Sequence, residues 1–414
     1  MINLNDDLLK IKNASYKLAS IDSDLKNIIL KDISSSLIKN MNKIIDANKL
    51  DIDAAIQNKI KDAFIDRLRL DEKRIENLSN SINELIKLDD PVGKIINKWT
   101  TLDGLEIKKV SVPFGVLCTI YEARPNVTVD IAAMALKTSN ACVLRGGKEA
   151  FNTNICLVEL IKAELQKYGL EDCIYLVSDN RYELVDELLK ARGLIDLVIP
   201  RGGKGLIEHV VENANIPVIE TGAGTCHVYV HQDADFDMAL NIIVNGKVQR
   251  PSVCNSIECV LVDDKIKDEF LPLMVNALND YHVTLKGDKE VKKIINCELI
   301  DNEDDYKIEY NDLILNIKIV KDYHDAIKHI NKYSTHHSDS IITANKKISE
   351  MFVRNVDSAC VYHNASTRFS DGGCFGFGTE VGISTQKLHA RGPMGLFELT
   401  SYKYVIEGNG EVRK

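Results

Sequence analysis

From Gly115 to Gly224 short apolar runs alternate with amphipathic stretches, and glycines stand at the exits of three of the runs. No other feature constrains the fold as tightly. Gly115–Ile120, Ala141–Leu144, Ile174–Val177, Leu197–Pro200 and Pro217–Glu220 are too short for helices and read as buried strands. Asp130–Lys137, Asn154–Lys167, Tyr182–Lys190 and Leu206–Ala214 carry helical spacing between them. Repeated strand–helix–strand units predict an α/β chain with a mostly parallel sheet covered by helices. Such sheets bind ligands beyond the carboxyl ends of their strands.

The flanks extend this pattern. Residues 1 to about 90 read as amphipathic helices, with Leu8, Ile11, Ala14 and Leu18, then Ile29, Ile33 and Leu37, at three- and four-residue spacing. A second α/β series begins near 254. It has strands expected at 258–262, 283–285, 315–320 and 340–343, and helices at 269–278 and 323–333. The charged stretch 286–310 is expected at the periphery. Residues 105–112 and 402–406 alternate and are expected to form a two-stranded arm whose exposed edge pairs across subunits.

With 414 residues the chain exceeds what one core accommodates, so two or three domains are expected. A net charge of -9 without a long basic run argues against a nucleic-acid binder. The charged N-terminus is unlike a signal peptide, and no stretch approaches the ~20 apolar residues of a membrane span. A cytoplasmic protein without membrane association is therefore expected. Ten scattered cysteines with no CxxC pair argue against a disulfide framework.

Arg145-Gly146-Gly147-Lys148 and Arg201-Gly202-Gly203-Lys204 share one design. Paired glycines let backbone amides approach an anion, the following helix offers unpaired N–H groups, and cations flank both. Tight strand-to-helix turns also use glycine for geometry alone, but the repetition favours a bound dinucleotide. Arg145 and Lys148 suit a 2′-phosphate and hence NADP. Cys254, in Arg250-Pro-Ser-Val-Cys-Asn255, is the candidate nucleophile because its setting is polar and interrupted by proline. The competing reading for any single cysteine is a small core residue. His336 and His337 lack metal-site spacing, and no metal site is expected. The polar and glycine-rich run Asn364–Glu380 reads as a binding loop. Arg201, Arg368 and Arg391 are candidate holders of a phosphate or carboxylate.

Long motifs carry a resemblance. They include Ile120-Tyr-Glu-Ala-Arg-Pro-Asn-Val-Thr128, Asn140-Ala-Cys-Val-Leu-Arg-Gly-Gly-Lys-Glu149, Gln249-Arg-Pro-Ser-Val-Cys-Asn255, Tyr333-Ser-Thr-His-His-Ser-Asp-Ser-Ile341 and His389-Ala-Arg-Gly-Pro-Met-Gly395. From about residue 5 onward the chain resembles the gamma-glutamyl phosphate reductases, a branch of the aldehyde dehydrogenase superfamily. The resemblance implies an aldehyde-dehydrogenase-like fold. An NADP-binding domain would span 1–250, interrupted by an arm strand at about 103–113 and completed by about 360–400. A catalytic domain would span 251–360, and residues 401–414 would join 103–113 in an oligomerisation arm.

It also implies reduction of L-glutamyl 5-phosphate by NADPH through a Cys254 thioester, in a homo-oligomer that takes its labile substrate from glutamate 5-kinase. Asn126 becomes the oxyanion donor. Glu220 falls where hydrolysing relatives keep a base, and Glu380 near the nicotinamide ribose. Ser252 and Asn255, with Arg368 and Arg391, are expected to contact substrate. The alternative is an NAD(P)-dependent aldehyde dehydrogenase that oxidises a small aldehyde to the free acid.

Overall fold

The computed structural model describes residues 4–179 and 181–413. Five helices lead the chain: α1 (Leu4–Leu18), α2 (Ser23–Lys39), α3 (Met41–Gln57), α4 (Asp62–Leu68) and α5 (Glu72–Lys87). Two strands follow, β1 (Ile95–Thr100) and β2 (Glu106–Pro113). The alternating region then runs β3 (Val116–Tyr121), α6 (Pro125–Lys137), β4 (Ala141–Arg145), α7 (Phe151–Gln166), β5 (Ile174–Leu176), α8 (Glu183–Lys190), β6 (Leu197–Arg201) and α9 (Lys204–Asn213).

The second series opens with β7 (Cys226–Val230), α10 (Phe236–Val248), β8 (Ile257–Asp263), α11 (Lys267–Asn279), β9 (Thr284–Gly287), α12 (Lys289–Lys292) and β10 (Glu298–Leu299). It continues with β11 (Ile314–Val320), α13 (Tyr323–Tyr333), β12 (Ser338–Ile342), α14 (Lys346–Asn355) and β13 (Cys360–His363). Short strands β14 (Ile383–Ser384) and β15 (Gly392–Pro393) precede the terminal β16 (Thr400–Glu407). Among the described residues no helix is long and apolar enough to cross a membrane.

Two compact units result. The first comprises Met1–Glu220, Gly376–Gly382 and Met394–Lys414. Its parallel sheet has the order β5-β4-β3-β6, so the chain reverses direction across the sheet between β3 and β6. The helical stripes seen in the sequence are buried as expected, with Leu8, Ile11 and Leu18 of α1 and Ile29, Ile33 and Leu37 of α2 in the core. An antiparallel sheet β1-β2-β16 stands apart from the parallel one. The expected pairing of β2 with β16 is present, and β1 adds a third strand that the sequence reading lacked. Pro125 opens α6 at its first turn, where a missing N–H costs nothing.

The second unit comprises Thr221–Phe375 and Ile383–Pro393. Its seven strands are all parallel, in the order β10-β9-β11-β8-β7-β12-β13. Alternate residues of β7 divide between two cores. Cys226, Val228 and Val230 face α10 and α11, while Tyr229 faces α13 and α14.

Three expectations change. The edge anticipated at 250/251 lies at Glu220/Thr221, and residues 360–375 join the second unit. The reason is β7, absent from the sequence reading, which sits between β8 and β12 and carries 221–250 with it. The strand expected at 217–220 is reduced to a single bridge, Val218 with Val198. The stretch 286–310 is not wholly peripheral, because Val291, Ile295, Ile300 and Tyr306 are buried.

Candidate active site

In the first unit most of the candidate residues lie where the strand order reverses, at the carboxyl ends of β3, β4 and β6. The Glu122 amide donates to the Arg201 carbonyl at 3.0 Å, and the Gly203 amide donates to Glu122 Oε2 at 3.0 Å. A Cβ on Gly202 would lie 2.7 Å from Glu122 Cδ. The Arg201–Lys204 turn therefore already receives a carboxylate on its backbone, and a phosphate oxygen offers that amide the same charge.

The Arg145–Lys148 turn is built differently. A Cβ on Gly146 would lie 2.3 Å from Asn154 Nδ2 and 3.2 Å from the Tyr121 ring. Gly146 thus makes room for a buried chain in which Thr128 Oγ1 meets Tyr121 Oη at 2.6 Å and Asn154 Oδ1 at 2.8 Å. A Cβ on Gly147 would press on Glu149 Oε2 at 2.7 Å. Arg145 Nη1 donates to the Gly146 carbonyl at 2.6 Å, while Lys148 is exposed.

Asn126 stands in the first turn of α6. Its Nδ2 donates to Asp130 Oδ2 at 3.1 Å, one helical turn on, which orients the amide. Asp130 escaped the sequence reading, although the i,i+4 spacing was visible. Burial pushes its carboxyl up to about 6 against the pull of the Asn126 amide and the Arg201 charge. An unfolded aspartate titrates near ~3.9. Between pH ~4 and ~6 the native chain thus holds a proton that the unfolded chain has lost. The contribution of Asp130 to stability falls as pH rises through that window. The stability difference between wild type and Asp130→Asn should decline by about 1–2 kcal/mol from pH 4 to 6.5, read from urea midpoints. A flat difference would contradict this account.

Glu220 is half-buried at the end of the first unit. Glu380 is half-buried in its 376–382 segment, where the Val381 amide donates to the Met394 carbonyl at 3.0 Å.

Burial narrows the ten thiols of the chain to two, both in the second unit. Eight of the ten cysteines are buried, Cys374 is exposed and Cys254 is intermediate. Burial lifts the thiols of Cys118 and Cys173 to about 12 and holds Cys142 and Cys226 high as well, which disqualifies them as nucleophiles. Cys254 lies on the turn joining α10 to β8. The Cys226 thiol donates to the Cys254 carbonyl at 3.2 Å. The strap before β7 is pinned by its own amides, Gly224 to Glu309 Oε1 at 2.8 Å and Thr225 to Thr335 Oγ1 at 2.9 Å.

A Cβ on Gly224 would lie 1.4 Å from the Cys254 carbonyl oxygen and 2.7 Å from its Cα. Those are backbone atoms and cannot rotate aside. Gly224→Ala should lower kcat/KM at least ~100-fold, about 2.7 kcal/mol, by displacing the turn. Wild-type turnover in that variant would break the link.

Asn255, expected on the substrate, is buried. Its Nδ2 donates to the carbonyls of Ser370 at 2.9 Å and Arg368 at 3.3 Å, and its own carbonyl accepts from Thr367 Oγ1 at 2.7 Å. It staples the Cys254 turn to the 367–370 loop. Arg368 belongs to that stapled loop. Its Nε donates to Gln249 Oε1 at 3.1 Å, burial and the Arg250 charge lower its pKa, and Cys254 is among the groups acting on it. Arg391 is engaged elsewhere, donating to the Asp357 carboxylate at 2.9 Å and carbonyl at 3.0 Å. Ser252 is half-buried two residues before the thiol.

The description "Aldehyde dehydrogenase family" belongs to the family model that matches residues 31–306, and the chain is a member of that family. It is 50% identical over 415 residues to the gamma-glutamyl phosphate reductase of Clostridium perfringens strain SM101, covering 99% of this chain and 100% of that one. It is likewise 50% identical over 404 residues to that of Thermoanaerobacter sp. strain X514, covering 97% and 98%. The crystal structure of gamma-glutamyl phosphate reductase from Thermotoga maritima superposes with a TM-score of 0.97 at 44% identity, covering 99% of this chain and 100% of that one. The chain belongs to the gamma-glutamyl phosphate reductase family.

Proposed function

We propose that this chain reduces L-glutamyl 5-phosphate to L-glutamate 5-semialdehyde with release of phosphate, in proline biosynthesis, and that NADPH is the reductant. The observation that carries the reading is Cys254, the half-buried thiol on a turn clamped by Gly224 and Asn255, in a chain 50% identical to named reductases. The Cys254 thiolate attacks the acyl carbon, the carbon–phosphate-oxygen bond breaks, and phosphate leaves with the electron pair. A glutamyl thioester remains. A nicotinamide, held by the first-unit residues assigned below, would supply the hydride that reduces its carbon. The carbonyl then re-forms and the thiolate departs, ready for another turn.

Asn126, aimed by Asp130, is assigned to the oxygen on which charge develops. The Gly202–Gly203 amides, Arg201 and the Arg145–Lys148 turn are assigned to the cofactor phosphates, with Glu380 on its ribose. Arg368, with Ser252 beside the thiol, is assigned to the substrate anion. Glu220 is assigned to the cofactor side, since a base activating water would waste the thioester.

The exposed Ile95, Ile96, Trp99, Tyr402, Tyr404 and Ile406 on the β1-β2-β16 sheet support pairing with a second copy. A cytoplasmic reaction fed directly by glutamate 5-kinase suits a labile acyl phosphate.

The test runs the reaction backwards. Pyrroline-5-carboxylate, in equilibrium with the semialdehyde, should reduce NADP+ at a rate that rises saturably with inorganic phosphate. A rate indifferent to phosphate would favour oxidation to the free acid.

A further inference from the structure

We propose that His227, Cys259 and His329 form a closed binding site for one thiophilic d10 cation, Zn2+ or Cu+, in the core of the second unit. His227 on β7 and Cys259 on β8 are directly paired in the parallel ladder. His329 comes from α13, whose Ala326, Ile330 and Tyr333 pack on the same core as Cys259. One donor atom from each of the three residues lies within 4.8 Å of the others. A metal bound at ordinary lengths, ~2.0–2.1 Å to nitrogen and ~2.3 Å to sulfur, needs donors ~3.3–3.8 Å apart. Small side-chain rotations supply the difference.

The burial of these groups needs an explanation. His227 and Cys259 are 0% exposed and His329 is 5% exposed. The Nε2 atoms of both histidines make no hydrogen bond among the described residues. Unmade hydrogen bonds are rare in a core because they are costly, and two in one cluster call for a common partner. The tautomer of His227 is set by its surroundings. Its Nδ1 lies 3.0 Å from the Thr225 carbonyl, which can only accept, so Nδ1 carries a proton and Nε2 is the nitrogen left to meet a cation. Asp339 Oδ1 lies 3.2 Å from the same Nδ1. A carboxylate or carbonyl behind the imidazole is the support that orients metal-bound histidines.

Charge and chemistry narrow the cation. One thiolate and two imidazoles select soft or borderline ions. The thiolate with Asp339 offsets Zn2+, so that ion is buried without net charge, whereas Cu+ is offset by the thiolate and leaves the Asp339 carboxylate to its hydrogen bonds from Ser334 and Ser358. Tyr306 and Tyr333 wall the site, with ring centroids 4.9 and 4.5 Å from that of His329. Three protein donors leave one place for a fourth donor in a tetrahedral zinc site, and their burial makes the ion a tie between α13, β7 and β8, apart from the reaction proposed above.

The test measures metal content of the full chain after expression with added zinc, or with added copper. About one equivalent per chain should survive EDTA dialysis in one of the two preparations, and this identifies the ion. Refolding with Co2+ should produce thiolate-to-cobalt absorption that Cys259→Val lacks, while Cys254→Ser keeps it. Refolding with the retained ion should raise Tm by at least about 5 °C over refolding with chelator. Two outcomes would overturn the proposal. One is negligible metal in both preparations with no Tm difference. The other is metal content unchanged in Cys259→Val, which would place the ion elsewhere.

Discussion

Cys254→Ser should bind NADPH normally and reduce L-glutamyl 5-phosphate at least ~10³-fold more slowly than wild type. The replacement changes one atom. A serine hydroxyl cannot supply the anion that a thiol offers near neutral pH, and no base is placed to activate it in the reading above. The packing around residue 254 involves its backbone, against Gly224 and the Cys226 thiol, so the fold should be untouched. Tryptophan-to-cofactor energy transfer or calorimetry would report binding, and phosphate-dependent NADP+ reduction would report chemistry. Retained turnover would remove Cys254 from the mechanism and leave Cys374, the exposed thiol, to be considered.

Lys247→Met should destabilise the second unit by about 3–5 kcal/mol. Lys247 closes α10 and Glu258 opens β8, on either side of the turn that carries Cys254. Their side chains meet at 2.7 Å and are 0% and 1% exposed. Burial pushes the Glu258 carboxyl up to about 7 and the Lys247 ammonium down, each opposed by its partner's charge. Removing the lysine leaves a carboxylate with no cation in the core. Its escape is to take up a proton, so the variant should lose more stability at pH 8 than at pH 6. Urea denaturation at both values measures this. The double variant Lys247→Met with Glu258→Leu should recover much of the loss, because two apolar groups of similar volume replace the pair. A single variant as stable as wild type at pH 8 would show that water reaches the pair.

Much of the fold was legible in advance. α13 begins and ends at the expected Tyr323 and Tyr333, and β3, β4, β6, β8 and β11 fall within a residue or two of their expected ranges. These segments are long enough, or apolar enough, for periodicity to speak. β7 was missed because Cys-His-Val-Tyr-Val mixes polar residues into a fully buried strand, hiding it among loops. That omission moved the domain edge from Glu220 to 250. β1 was missed because all six of its residues are exposed and no burial pattern marks them.

The site divides in the same way. Cys254, Asn126 and the two Arg-Gly-Gly-Lys turns were visible as residues, and the family was visible in the motifs. Their partners were not. Asp130 beside Asn126, Glu122 on the Gly203 amide, and Gly224 against Cys254 are matters of contact. The sequence pointed Asn255 and Arg391 toward substrate; the hydrogen bonds from Asn255 to the Ser370 carbonyl and from Arg391 to Asp357 are likewise matters of contact.

By itself the sequence determined the order of the elements, the two glycine turns and membership of the family, because hydrophobic period and motif are local properties. Only the tertiary structure decided which two thiols escape burial, which loop Asn255 ties to the Cys254 turn, and that His227, Cys259 and His329 meet in one core. Those outcomes depend on the register of strands and the face each helix covers, which bring together residues that no spacing along the chain relates.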